Sequence, residues 1–474
     1  NASSARLLPK SPLPKGVDNK LPFLYANFRY LSIDLEYFCR TNPVPSSISN
    51  SKDNQTGKSP LSDFSLTPVI NGNFLIFRLT FVTLIIAECV KLIFVHYCKK
   101  CVIPETRPDI VFDKEGICDA CRSAVFKEQI DWESRKKEFE KLIDKLRNKS
   151  QDNYDCVVPV SGGKDSHYQT YVCKVKYGLN PLLVSFEPTP FSALGEKNLL
   201  NIGKTFGCDI IHFRKNPIVY VKLARIGFER VGDHEWPNHV GIFTTAARVA
   251  TNYRIPLIIW GENAQLEYGG PQSAKTNSIL DRKWMEEFGG LLGNRTEDMI
   301  GVNGLTKSDL LPYTYPSEKK LSEAKITGIF LGNYFKWNSS AQSQLMIDKY
   351  GFKVKNDKAS VESHLFCKSL DDETVFIHDY LKFVKYGFDR VNDQLSVEIR
   401  DKRMKREEAA KIVKKYTGKM NPALLRLFLK HYGFSKTEFY RIADSFTNKS
   451  LFEIDKHGNL VRDKNYDLIP KYLP

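Results

Sequence analysis

The stretch Ser161-Gly162-Gly163-Lys164-Asp165-Ser166 brings together residue types that can hold a phosphate. An apolar run at 157–160 precedes it, and a helix-like segment at 165–177, closed by Gly178, follows. Two adjacent glycines let the backbone approach an anion and turn its N–H groups inward. The start of a helix adds free amides and partial positive charge. Ser161 and Ser166 can donate hydroxyls, Lys164 supplies a full charge, and Asp165 can cap the helix or hold Mg²⁺. The spacing is not that of the Walker loop, which needs G-x-x-x-x-G-K-[ST]. The plain alternative is a serine-glycine turn with a capping aspartate.

Cys98 and Cys101 form one CxxC pair, Cys118 and Cys121 a second, with 16 residues between them. Two such knuckles predict a tetrahedral thiolate cage for structural Zn²⁺, since four thiolates leave no position open for water. So short a ribbon has little core, and the metal would supply much of its folding energy. An iron–sulfur cluster is the other group such a set could hold. The remaining cysteines of the ten are scattered, which argues against a disulfide scaffold and for a reducing cytoplasm.

These residues need elements to position them. From Asp155 the pattern alternates: strands at 156–160, 182–186, 209–213 and 256–260, helices at 165–177, 192–206, 217–229 and 239–253. That predicts an α/β fold with a doubly wound parallel sheet, whose ligands sit at the carboxyl ends of strands. Glu187 and Gly261-Glu262-Asn263 follow two of those strands and could share a crevice with the glycine loop. His234 and His239 lie five apart with Pro237 between them, which rules out the H-E-x-x-H zinc geometry. They read as a polar loop lining the site or as surface histidines. An amphipathic segment at 132–149 links the knuckles to the loop. After a loop-like stretch at 290–315, residues 316–474 are mainly helical; the aromatics at 377–388 read as core and 400–415 as a basic helix start followed by an amphipathic turn.

With 474 residues, 42% hydrophobic, the chain is long enough for two or three folded domains. A net charge of +15 suits anionic partners such as nucleotides or nucleotide-sugars. Residues 1–95 differ in composition and carry an apolar stretch at 74–95, interrupted by Arg78, Glu88 and Lys91. No methionine precedes Met285. The expectation is a native start near Val95, with residues 1–94 outside the functional fold; a membrane anchor is the rival reading.

The SGGKDS spelling resembles the PP-loop of ATP pyrophosphatases. More widely, YCKKCVIPETRP at 97–108, CDAC at 118–121, PVSGGKDS at 159–166, WGENAQLEYGG at 260–270, LPYTYPSE at 311–318, LGNYFKW at 331–337 and YGFDR at 386–390 together resemble the N-acetyl sugar amidotransferases of bacterial surface-glycan pathways. The resemblance spans roughly residues 96–420. It implies a PP-loop/HUP-like domain at 131–290 behind a zinc ribbon at 96–130, with a substrate-binding helical region at 291–474. It implies a cytoplasmic ligase that uses ATP and Mg²⁺ to adenylate the acetamido oxygen of a (nucleotide-)sugar, then replaces AMP with ammonia to leave an acetamidino group. Ser161, Gly162, Gly163, Lys164, Asp165, Ser166 and Gly261 would then hold the nucleotide, with Lys164 and Asp165 also catalytic. Glu262 and Asn263 would orient the sugar amide or ammonia. Ammonia would come from separate glutaminase and channelling subunits related to the histidine-pathway pair, because this chain has no glutaminase elbow. Neither nucleic acid nor membrane is an expected partner. Val391-Asn392-Asp393-Gln394 departs from the family pattern and leaves the sugar open.

Two rivals remain: a tRNA-thiolating PP-loop enzyme, which the basic charge and ribbon would suit, and a non-enzymatic zinc-ribbon or membrane-anchored binding protein.

Overall fold

The computed structural model describes residues 95–269, 295–355 and 370–474. Residues 1–94, with most of the apolar stretch, lie outside the described residues, as does Gly270. All described residues belong to one compact unit, Ile76–Pro474. Among them, no helix is long and apolar enough to cross a membrane.

Helix α1 (Asp119–Lys127) starts inside the second knuckle. Asp131 then accepts from the Ser134 amide and starts α2 (Trp132–Leu146), which buries Phe139 and Ile143. Strand β1 (Cys156–Pro159) is wholly buried and leads through the glycine loop into α3 (Lys164–Tyr171), whose last turn widens over Val172–Lys176. The order continues with β2 (Pro181–Phe186), α4 (Ala193–Phe206), β3 (Ile210–Phe213), α5 (Pro217–Val231), α6 (Trp236–Tyr253), β4 (Leu257–Trp260) and α7 (Ala264–Tyr268). After several short turns come α8 (Glu318–Glu323), β5 (Thr327–Phe330) and α9 (Ser339–Tyr350).

The strands form one parallel sheet ordered β3-β2-β1-β4-β5. The first four match the expected strands to within a residue or so; β5, an edge strand, was not anticipated. Neighbouring residues point to opposite faces, as the period of two requires. Val158, Leu183 and Ile259 pack with Phe139, Leu199 and Phe352 on one side. Val157, Leu182 and Ile258 meet Ala246, Ala247 and Ala250 of α6 on the other. Both faces are therefore covered, and the strands read as continuous apolar runs.

The C-terminal region holds α10 (Val375–Tyr386), α11 (Arg390–Arg400), α12 (Arg406–Tyr416), α13 (Pro422–Tyr432) and α14 (Lys436–Ser445). Residues 400–415 are not one helix: α11 ends at Arg400, a turn follows, and α12 starts at Arg406. An aromatic core joins these helices to α5 and to the sheet, with Phe186, Phe228, Trp236, Phe383, Phe428 and Phe439 in one cluster. Beyond α14 the chain makes isolated antiparallel bridges, such as Ile454 with Leu460.

Candidate phosphate-binding site and thiol centre

The order of the sheet reverses between β1 and β4, and the glycine loop leaves β1 at that switch point, where α/β sheets take their ligands. Gly162 has φ +92°, and a Cβ there would lie 2.6 Å from the Gly195 carbonyl and 3.0 Å from the Leu199 amide. The loop is thus pressed against α4, and only glycine fits. The Ser161 amide donates to Ser166 Oγ at 2.9 Å, which folds the loop back over the first turn of α3. Gly163 is the N-cap residue of α3 and has no side chain to cover the helix start. Lys164 is buried and its Nζ donates to Asp165 Oδ2. His167 braces the turn, its Nδ1 lying 3.0 Å from the Gly163 carbonyl; burial pulls its pKa down to about 4, so the ring is neutral at pH 7.

The β4 end closes the other side. Gly261 packs where a Cβ would come 2.5 Å from Gln169 Nε2, and its carbonyl accepts from the Gly332 amide at 3.0 Å. Asn263 is buried; its Nδ2 donates to Asn333 Oδ1 at 2.9 Å, and its Oδ1 accepts from the Leu266 amide at 3.4 Å. Its amide therefore caps α7 and ties it to the turn after β5. Glu262 accepts from the Tyr268 hydroxyl at 3.5 Å. Burial, followed by the charges of Glu262, Asp393 and Asp165, pushes the Tyr268 phenol far up, which puts these acids around one ring.

Three of the stretches singled out in the sequence converge beside that ring. Arg107 of the PETRP stretch pairs with Asp393 and lies 5.8 Å from the Tyr268 centroid. Lys382 donates to the same Asp393 at 2.7 Å, and Arg390 to Asp379 at 2.6 Å. Burial opposes ionisation of Asp393, but Arg107 and Lys382 outweigh it and lower its pKa to about 2.

Asp371 was not anticipated. Its backbone carbonyl accepts from the Ser192 amide at 2.9 Å, and its Cα would lie 2.5 Å from a Cβ at Gly195. Burial raises its carboxyl pKa while a hydrogen bond with Ser161 opposes the rise. The acidic run Leu370-Asp371-Asp372-Glu373 was the signal available in the sequence, but nothing local ties it to a loop two hundred residues earlier. Glu187, by contrast, turns to β3: its Oε2 lies 2.8 Å from Arg214 Nε and 3.4 Å from His212 Nε2.

His234 is not at the surface, and His239 is only partly exposed. His234 is 1% exposed, and His239 sits inside α6, which starts at Trp236 rather than 239. The whole Asp233-His234-Glu235 turn is buried.

The four knuckle thiols are buried and lie within 4.8 Å of one another. Cys98 Sγ is 3.9 Å from Cys121 Sγ, and Cys101 Sγ 3.7 Å from Cys118 Sγ. A tetrahedral ion with bonds of about 2.3 Å needs sulfur–sulfur edges of about 3.8 Å, so the set fits Zn²⁺. The knuckle is not a free-standing ribbon. Asn392 Nδ2 donates to the Val102 carbonyl at 3.0 Å, and Arg406 Nε reaches the Cys98 and Cys101 carbonyls at 3.1 Å each. Arg400 donates to the Glu267 carbonyl at 2.9 Å; burial works against its charge, but the thiolates of Cys101, Cys121 and Cys118 hold it protonated. Lys127 completes the brace with a 2.5 Å contact to Glu267.

Residues 371–464 match the family model described as LPS biosynthesis protein WbpG-like, C-terminal domain. Over 115 residues the chain is 31% identical to an uncharacterized protein of Methanocaldococcus jannaschii, a stretch covering 24% of this chain and 41% of that protein. The chain thus spans less than half the length of that curated relative. The solved structure of NMN synthetase from Francisella tularensis is similar at a TM-score of 0.23 and 16% identity, over 41% of this chain and 92% of that one.

Proposed function

We propose that the chain is an ATP-dependent amidotransferase of surface-glycan, lipopolysaccharide-type biosynthesis, acting in the cytoplasm on an acetamido (nucleotide-)sugar. One observation carries the reading: Asp371, the first residue of the WbpG-like segment, packs on Gly195 of α4, the same residue whose carbonyl Gly162 of the glycine loop is pressed against at the switch point of the sheet. That contact supports reading the WbpG-like region and the glycine loop as parts of one site.

On this reading the loop amides, the start of α3 and Lys164 hold the departing pyrophosphate and spread its charge. Asp165, with Asp371, would hold Mg²⁺, which neutralises phosphate charge when bound. The acetamido oxygen attacks the α-phosphorus, pyrophosphate leaves, and the resulting AMP ester is a far better leaving group than oxide. Ammonia then adds to the carbon, and loss of AMP leaves the acetamidino product. Glu262 would orient the amide or ammonia, while the Asn263 amide would serve by holding α7. The Arg107, Lys382 and Arg390 cluster would meet the anionic part of a nucleotide-sugar.

The chain would need ammonia from elsewhere. Among the described residues, Cys156 and Cys173 are fully buried, and burial pushes the Cys208 thiol up to about 11, so none offers a thiolate for glutamine hydrolysis. The test is incubation with ATP, Mg²⁺, ammonium and a panel of UDP- and CMP-linked acetamido sugars, followed by mass spectrometry. AMP, pyrophosphate and exchange of one oxygen for nitrogen in the sugar are expected, with ammonium but not with glutamine. ADP in place of AMP, or turnover with glutamine alone, would refute the scheme.

A further inference from the structure

Proline is out of place in an inner strand, because it has no N–H to give the ladder. Pro159 nevertheless ends β1, the middle strand of the sheet. Backbone groups of successive residues turn alternately to the two neighbouring strands. The Val160 amide donates to the Val184 carbonyl of β2 at 2.9 Å, so the Pro159 carbonyl turns the other way, to β4. Val157 stands opposite Ile258, and the same register two residues on would bring the Gly261 amide to the Pro159 carbonyl.

A side chain stands in that rung instead. Gln169 of α3 is 6% exposed. Its carboxamide, turned so that donors meet acceptors, gives its nitrogen to the Pro159 carbonyl at 3.3 Å and takes the Gly261 amide on its oxygen. One side-chain amide thus fills the place of one direct backbone bond. The end of β4 is held from other directions too: a Cβ on Gly261 would come 3.3 Å from Trp337 Cη2, and the Gly261 carbonyl accepts from the Gly332 amide at 3.0 Å.

A direct bond here would draw the ends of β1 and β4 together, at the place where the glycine loop leaves one strand and Glu262-Asn263 leave the other. With the carboxamide between them, the two ends stay apart by its width. We propose that Gln169 is a positioning residue: a wedge that spreads β1 from β4 and sets the distance between the glycine loop and the Gly261-Glu262-Asn263 wall. Helix α3 begins at Lys164 and carries Gln169 in its second turn, so loop and wedge belong to one rigid piece. The spacing matters for a transfer between groups on opposite walls, since a misplacement of about 1 Å can cost roughly 10²-fold in rate. That consequence rests on the adenylation reading; the wedge itself does not.

The test sets Gln169→Ala against Gln169→Met in the full chain. Alanine removes the wedge, so a crystal structure should show the Gly261 amide bonded directly to the Pro159 carbonyl at about 2.9 Å, with Glu262 displaced toward the glycine loop. Methionine keeps the bulk without the hydrogen bonds. The strand ends should then stay apart, and Tm should fall below that of Gln169→Ala, because two buried backbone groups are left unpaired. The kcat for AMP formation should drop roughly 10²-fold in the alanine variant but less than about tenfold in the methionine one, with KM for ATP near the parent's in both. Activity and stability would then rank the two variants in opposite order, which a merely structural glutamine cannot produce. Strand ends that stay apart in Gln169→Ala, or AMP formation that follows Tm across both variants, overturn the wedge. Closed ends in Gln169→Ala beside a parent protein that never forms AMP would uphold the wedge and remove the adenylation reading instead. Should Gln169→Ala fail to fold, the methionine structure decides: ends that stay apart uphold the wedge, and ends that close overturn it.

Discussion

Gly162 and Lys164 do different work in the same loop. A methyl at Gly162 meets the Gly195 carbonyl at 2.6 Å and also forces φ +92° on a residue with a Cβ. Gly162→Ala should therefore cost roughly 1–3 kcal/mol of stability from the backbone alone and displace the loop from α4, which a denaturation curve and ATP binding would register. Lys164→Met should leave the melting curve nearly unchanged and lower AMP formation by roughly 10²–10³-fold, the range seen when one stabilising donor is lost. Asp233 and His378 make a pH-dependent contribution. Burial opposes both charges, but each partner holds the other ionised, so Asp233 is depressed and His378 raised above its ordinary 6.5. The Asp233 part is present above the ordinary carboxylate value and lost as pH falls. The His378 part is present below 6.5 and lost as pH rises through its raised value. His378→Asn should thus be most destabilising near about pH 6, by roughly 3–5 kcal/mol, and least near about pH 9. Equal losses at both values, by chemical denaturation, would exclude the pair as the cause.

Among the elements, the thiol centre matters for what it holds. Arg400 stands between the cysteines and the Glu267 carbonyl of α7, and Lys127 grips the same glutamate. Helix α7 follows directly on Glu262 and Asn263. Chelation, or Cys118→Ser, should raise hydrogen exchange at 264–268 at least about tenfold, whether or not turnover is measured. Protection unchanged at α7 would confine the centre to local folding. Four strands, the loop and the knuckles were legible in the residues because their signals are local: apolar runs, glycine pairs, cysteine spacing. Strand β5 was not, since Thr327-Gly328-Ile329-Phe330 opens on a threonine and a glycine and so lacks a continuous apolar run. Nor was the start of α6: Pro237 looked like a barrier to a helix, yet it occupies the first turn, where its missing N–H costs nothing. The packing of Asp371 on Gly195 and the Asp233–His378 pair depend on contacts between segments more than a hundred residues apart, and no spacing rule reaches that far.

Across the molecule, one aromatic core binds the sheet to the C-terminal helices. Phe186 and Trp236 share it with Phe383, Phe428 and Phe439. Phe428→Ala should cost about 3–5 kcal/mol. Helical circular dichroism and tryptophan fluorescence should still change in a single coincident transition, because neither half keeps a complete core alone. Two separated transitions would show that the glycan-type region is an independent module.

The pairing of Asp371 with Asp372 has a mechanical corollary. Asp371 rests on Gly195 of α4, and the isolated antiparallel bridge from Phe191 to Asp372 ties the same segment to the residues just before that helix. Because Gly162 presses on the Gly195 carbonyl from the other direction, a ligand that shifts the glycine loop should drag the start of the C-terminal region along with it.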